Sequence, residues 1–192
     1  KQGLHTLNMR ERSGQLLGIM GASGAGKSTL LNILNGTTAP SVGSVNINGI
    51  DIYKEPDKVE GLIGYISQDD LLIEDLTVFE NLYYNAKLCF DGVGKFRLTK
   101  MVMTTLKNLG LSEIKDLKVG SPLNKKISGG QRKRLNIALE LIREPSILFV
   151  DEPTSGLSSR DSENIMDLLK ELALKGKLVY VVIHQPSSDI YR

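Results

Sequence analysis

The stretch Gly21-Ala22-Ser23-Gly24-Ala25-Gly26-Lys27-Ser28-Thr29 narrows the possible folds of this chain more than any other. A glycine, four free positions and then Gly-Lys-Ser is the spacing of a loop that wraps phosphate groups. The apolar run Leu16-Leu17-Gly18-Ile19-Met20 ahead of it predicts a buried strand. The residues 28–35 behind it predict a helix, stopped by Gly36. Glycines allow successive backbone N–H groups to turn toward one anion, and the helix N-terminus adds partial positive charge. Lys27 would reach the terminal phosphates as a point charge, which makes it a binding and a catalytic candidate, and the Ser28 hydroxyl would ligate Mg²⁺.

The rest of the chain reads as strands alternating with helices. Residues 1–13 are weakly patterned, with an alternation at Leu4, Leu7 and Met9 that suggests an edge strand. Residues 44–52 alternate around Asn48-Gly49, a hairpin signal. A strand over 61–67 delivers Gln68 at its C-terminal end. Thr77-Val78-Phe79-Glu80 is a capping box for a helix to about residue 88, and 99–109 predicts a second helix, stopped by Gly110. Ser128-Gly129-Gly130-Gln131 has the same capping form and opens a helix through Ile142, with a core-facing stripe at Leu135, Ala138, Leu139, Leu141 and Ile142. A continuous apolar run over 147–150, a helix over 161–174 and a strand at 178–183 ending before His184 complete the pattern. The fold class is therefore α/β, with a mainly parallel sheet, a small antiparallel part and an inserted helical block.

Composition excludes some functions. A net charge of +2 over 192 residues gives no electrostatic ground for nucleic-acid binding. The basic triplet Arg132-Lys133-Arg134 reads as the polar face of a helix. The single cysteine, Cys89, excludes an internal disulfide. No apolar run approaches the ~20 residues that cross a bilayer. Both ends of the sequence read as cuts in something longer.

Asp151-Glu152 marks a second chemical site, at the tip of the 147–150 strand. Ligands of open α/β sheets bind outside the carboxyl ends of strands, so this pair falls beside the glycine loop if the two strands are neighbours. Asp151 would hold Mg²⁺ through water, and Glu152 would polarise a water for in-line attack on a γ-phosphate.

The order of glycine loop, isolated Gln68, Ile127-Ser128-Gly129-Gly130-Gln131, the acidic strand end and His184 resembles the nucleotide-binding domain of ATP-binding cassette (ABC) proteins. Gln68-Asp69-Asp70, the 76–82 segment and Asp151-Glu152-Pro153-Thr154-Ser155-Gly156-Leu157 resemble the G subfamily of half-transporters. The resemblance implies ATP and Mg²⁺ as cofactors, with 1–76 and 145–192 as the ATP-binding core and 77–144 as a helical subdomain. It implies that Gly21, Ala22, Ser23, Gly24, Ala25, Gly26, Lys27, Ser28 and Thr29 bind nucleotide, and that Gln68 touches the metal held by Ser28 and Asp151. Ser128, Gly129, Gly130 and Gln131 would cap the γ-phosphate of ATP held by a second such domain, head to tail. His184 would orient the attacking water beside Glu152.

Two departures from the family pattern stand out. Ser158 occupies the place of a usual aspartate, and no aromatic residue precedes Gly21 to stack on adenine, with only His5 available. The implied function is ATP hydrolysis driving transport of a solute across a membrane, at its cytoplasmic face, with a transmembrane partner in the same or a separate chain and no nucleic acid. The partner contact is expected next to Gln68, at Leu71, Leu72, Ile73 and Leu76. The alternative is an ABC ATPase that moves no solute and acts on the ribosome or nucleic acid; a nucleotide-binding regulator without turnover is a third reading.

Overall fold

The computed structural model describes residues 4–121 and 126–183. Its contacts divide the chain into two compact units. One comprises 1–68, 145–154 and 166–192, the other 69–144 and 155–165.

The first unit is built on a parallel sheet. β1 (Leu16–Met20), β4 (Ile63–Ile66), β5 (Ile147–Asp151) and β6 (Leu178–Ile183) lie in the order β1-β6-β5-β4. β5 and β6 are the apolar runs of the sequence, and their central residues are buried, as a strand flanked on both sides requires. Gly64 in β4 is a packing necessity: a Cβ there would lie 2.9 Å from both Leu148 and Pro145. Helix α1 (Lys27–Leu34) contributes Leu31 to a core with Phe149, Tyr180 and Val182. The Phe149 and Tyr180 rings stack at 5.0 Å, and burial pushes the Tyr180 phenol up to about 12. β2 (Asn46–Ile47) and β3 (Ile50–Asp51) form the expected hairpin. Asn48 and Gly49 both take positive φ, 52° and 84°, as a two-residue primed turn demands.

The second unit packs three helices, α2 (Val78–Cys89), α3 (Lys95–Asn108) and α4 (Gly129–Leu141), on one another. Val78, Leu82 and Ala86 repeat at i, i+4, i+8 on α2, and Leu98, Val102 and Leu106 do so on α3, so each helix presents one apolar stripe. Helix α5 (Ser159–Leu174) has its first turns, through Ile165, in this unit and the remainder in the first.

Four sequence expectations need correction. Leu4, Leu7 and Met9 are exposed and in no strand, because alternation supplies a face but no partner ladder. Helix α3 begins four residues before Thr99, at Lys95 after Gly94. In the α4 stripe, Leu135, Ala138, Leu139 and Ile142 are buried but Leu141 is only partly so. The Arg132-Lys133-Arg134 triplet is not a solvated face: Arg132 and Lys133 are buried, because α4 packs against both α2 and α3.

Candidate functional site

The carboxyl edge of the sheet collects the chemistry of the first unit. β1 ends at Met20 and hands over to Gly21, β5 ends on Asp151, and β4 ends at Ile66, two residues before Gln68. The register pairs Met20 with Ile183 and Asp151 with Val182. The condition set in the sequence, that β1 and β5 be neighbours, is not met, because β6 lies between them. Two strand spacings, about 10 Å, therefore separate their tips along the carboxyl edge of the sheet.

The glycine loop has the backbone its composition predicts. Gly24 and Gly26 adopt positive φ, 76° and 91°, and Gly26 serves as the N-cap of α1 with no side-chain cap on the first turn. A Cβ on Gly21 would come within 3.3 Å of Ala25 Cβ, so the loop is wound tightly at its entry. The Lys27 ammonium donates to the carbonyls of Gly21 at 2.8 Å and Ala22 at 3.0 Å, which holds a positive charge at the loop itself. Uncapped amides at a helix start beside a fixed ammonium are the donor set a polyphosphate requires. Among the described residues no cluster of His, Cys, Asp and Glu could by itself enclose a metal. Mg²⁺ would need only one or two protein groups besides phosphate oxygens and water, and Ser28 and Asp151 are the candidates for it.

Glu152 carries the strongest local signal. Its φ is 42°, left-handed for a residue with a Cβ, and it directly precedes Pro153. Both conditions disfavour that backbone state, at a cost of about 1–2 kcal/mol. Its N–H is fixed by the Val182 carbonyl at 3.1 Å. Such strain persists where the surroundings impose it, and it gathers at functional sites. The Tyr65 hydroxyl lies 3.5 Å from Asp151 Oδ2, and burial first, then the Asp151 charge, pushes its pKa up. Sequence reasoning missed Tyr65, which nothing but its strand register marks. His184 lies outside the described residues, immediately after β6.

In the second unit Ser128 caps α4. Its Oγ accepts from the Gln131 N–H at 3.1 Å, and its own N–H donates to Gln131 Oε1 at 2.7 Å. Gly130 sits under Asp161: a Cβ would fall 2.4 Å from Asp161 Oδ1. Asp161 is held in turn by Ser158, whose hydroxyl donates to Asp161 Oδ2 at 3.0 Å and accepts from the Asp161 N–H at 3.1 Å. Ser158, which stands where the family usually has an aspartate, therefore caps α5. The Ser-x-x-Asp spacing of 158–161 was the available sequence signal.

The family model described as "ABC transporter" matches residues 4–155. The chain belongs to the ABC transporter family. Among curated proteins it is 38% identical to "ABC-type transporter claG" of Penicillium crustosum, an alignment covering 100% of this chain and 26% of that protein. It is 39% identical to "ABC transporter G family member 13" of Arabidopsis thaliana, covering 100% of this chain and 28% of the relative. It is 40% identical to "Broad substrate specificity ATP-binding cassette transporter ABCG2" of Rattus norvegicus, covering 91% and 26%. The chain thus spans about a quarter of the length of these relatives, and the G-subfamily resemblance read from the motifs is matched by their names. Among solved structures, cbiO1 from Clostridium perfringens, described as part of the ABC transporter complex cbiONQ, superimposes with a TM-score of 0.83 at 31% identity. That match covers 95% of this ABC chain and 72% of the other. Nucleotide binding follows from family membership, and the expected phosphate-loop α/β fold is the one observed. Among the described residues no helix of this ABC domain is long and apolar enough to cross a membrane.

Proposed function

We propose that the chain binds Mg-ATP at the carboxyl edge of its sheet and hydrolyses it to drive transport of a solute across a membrane. The observation that carries the reading is Glu152, strained before Pro153 at the sheet edge that also holds the glycine loop. The loop amides of 21–29 and the Lys27 ammonium bind the β- and γ-phosphates. Ser28 and Asp151, with Gln68, would hold Mg²⁺, which would neutralise charge on the phosphate oxygens. Glu152 accepts a proton from the attacking water as its oxygen bonds to the γ-phosphorus and the bond to the β-phosphate oxygen breaks. His184 orients that water. Ser128, Gly129, Gly130 and Gln131 face the γ-phosphate of a second copy in a head-to-tail dimer.

The chain would act at the cytoplasmic face of the membrane, docked to a transmembrane part through the segment after Gln68. Two of the residues expected there, Leu71 and Ile73, are exposed, whereas Leu72 is buried and belongs to the core. Arg132 and Lys133 of the basic triplet are buried, so they offer no cationic surface to a nucleic acid.

Glu152→Gln tests the reading. It keeps the shape and removes the base, so Mg-ATP should still bind while hydrolysis falls by about 10²-fold or more. Hydrolysis at the unaltered rate, measured by phosphate release, would leave Glu152 as a strand-end acid and refute the assignment.

A further inference from the structure

The second unit contains a segment that lacks helix or strand but is held like one. Over 70–77 the backbone presents Leu71 at 73% exposure and Ile73 at 57%, while Leu72 between them is 8% exposed. An irregular loop with two projecting apolar side chains would ordinarily be mobile. Here buried polar side chains from α2 and α4 fix it at successive points.

Arg132 donates a forked pair to Asp70, Nε to Oδ2 at 2.8 Å and Nη2 to Oδ1 at 3.1 Å. Its Nη1 also donates to the carbonyls of Val119 at 3.2 Å and Gly120 at 2.6 Å. Those residues pair back to the segment, Val119 N–H to the Leu76 carbonyl and Gly120 N–H to the Glu74 carbonyl, both at 3.0 Å. Asn136 Oδ1 accepts the Leu71 N–H at 3.4 Å. Asn81 Oδ1 accepts the Ile73 N–H at 2.8 Å, and its amide donates to the carbonyls of Ile73 at 3.1 Å, Leu76 at 3.4 Å and Thr77 at 3.0 Å.

Asn81, Arg132, Lys133 and Asn136 are the buried polar residues among those described, and all but Lys133 are seen directed at this segment. A buried polar group is tolerated only when its hydrogen bonds are made, and these three side chains make theirs to the segment and to the residues paired with it. A planar guanidinium on a carboxylate, and an amide on both the N–H and the carbonyl of Ile73, also fix orientation, which a single contact would not.

We infer that Asn81, Arg132 and Asn136 are positioning residues that hold Leu71 and Ile73 as a rigid apolar pair for the transmembrane part of the transporter. The inference rests on the docking reading above. The chain covers 26% to 28% of the length of these relatives, and in a protein of their length the remainder would supply the surface that covers this pair. The exposed acids Glu74 and Asp75 beside Ile73 fit a short apolar segment flanked by basic residues. A rigid pair matters because a displacement is transmitted through a fixed contact and absorbed by a mobile loop, which must also lose conformational freedom on binding.

The test uses the full-length transporter with Cys89→Ser and Ile73→Cys, cross-linked to single cysteines walked along the cytoplasmic loops of the transmembrane part. Asp70→Asn and Asn81→Ser are then added separately. Neither touches the nucleotide machinery, and both should keep Mg-ATP binding. In each, hydrogen exchange at the residue-73 amide should quicken at least about tenfold while the α2 and α4 amides stay protected. The cross-link, confined to one or two positions in the parent, should spread over several and fall at least about fivefold at the original one. An unchanged cross-link pattern with quickened exchange overturns the inference and leaves docking standing, as does unchanged exchange at residue 73. No cross-link anywhere in the parent overturns docking itself. If Asn81→Ser unfolds the unit, Asp70→Asn, at a side chain 27% exposed, decides alone.

Discussion

Helices α1 and α4 both begin in glycine-rich sequence, and each is a candidate to face a phosphate, yet their first turns are built in opposite ways. Helix α1 starts from Gly26 in the left-handed region, with no side-chain cap and no acid in its first turn. Helix α4 starts from Ser128 in extended backbone, with a reciprocal capping box to Gln131. A helix start carries amides without intrahelical partners. In α1 those amides are left for an external anion, with the Lys27 ammonium beside them. In α4 the Gln131 amide already has the Ser128 hydroxyl, and the Asp161 carboxylate lies against Gly130. The difference teaches that the first turn of α1 has no partner from its own side chains, whereas that of α4 is partly satisfied by the Ser128 cap.

The largest expected effect separates the two directly. Lys27→Ala should weaken Mg-ATP binding by about 1.5–3 kcal/mol, the range for hydrogen bonds to charged groups, or roughly 10- to 100-fold. Ser128→Ala should leave the affinity of the single chain unchanged. Isothermal titration of both variants measures this, and equal losses would abolish the distinction between the helix starts.

Next come the glycines. Gly130→Ala places a methyl group 2.4 Å from Asp161 Oδ1 and 2.7 Å from Cγ, with the Asp161 backbone held inside α5. Overpacking of that kind costs about 1–3 kcal/mol. Gly24→Ala meets nothing within 4 Å but stays at φ 76°, so its cost is backbone strain of about 1–2 kcal/mol. Bound nucleotide should rescue the melting temperature of neither fully. A relief of the Gly130→Ala loss by Asp161→Gly would confirm that the carboxylate is the obstacle.

A smaller effect belongs to the cap itself. Ser128→Ala removes the hydroxyl that holds the Gln131 amide, at about 1 kcal/mol, lowering Tm by about 2–4 °C for a chain of this size. No change in thermal melting would mean that Gln131 finds another partner.

These sites differ in how far the sequence disclosed them. The glycine loop was legible because fixed spacing, left-handed glycines and a following helix are all local consequences of residue type. The capping boxes at Thr77 and Ser128 were legible for the same reason, each being a contact across three residues. What depended on long-range order was not. The placing of β6 between β1 and β5 follows from crossover connections, which no strand encodes in itself. The burial of Arg132 beside Asp70 joins residues 62 apart, and a basic triplet on a helix carries no mark of which faces will be covered. Leu72 and Ile73 had equal claim to exposure until the packing of the segment separated them.

The smallest effect sharpens the comparison by asking what the strand end beside α1 gives up for its chemistry. Glu152 holds φ at 42° before a proline, whereas Ser128 at the start of α4 has ordinary extended backbone. Glycine adopts positive φ without the Cβ penalty of about 1–2 kcal/mol, though it loses about 0.5–1 kcal/mol through greater freedom in the unfolded chain. Glu152→Gly should therefore raise stability by about 0.5–1 kcal/mol, seen in urea as a higher midpoint with an unchanged slope. Hydrolysis should be lost in the same variant, since no carboxylate remains to take the proton from water. Both outcomes together mean that the strain is kept for function. A variant that hydrolyses no ATP and is also less stable would mean that the Glu152 side chain has a structural role outweighing its backbone cost, and the strained conformation would then no longer distinguish a catalytic residue from a packed one.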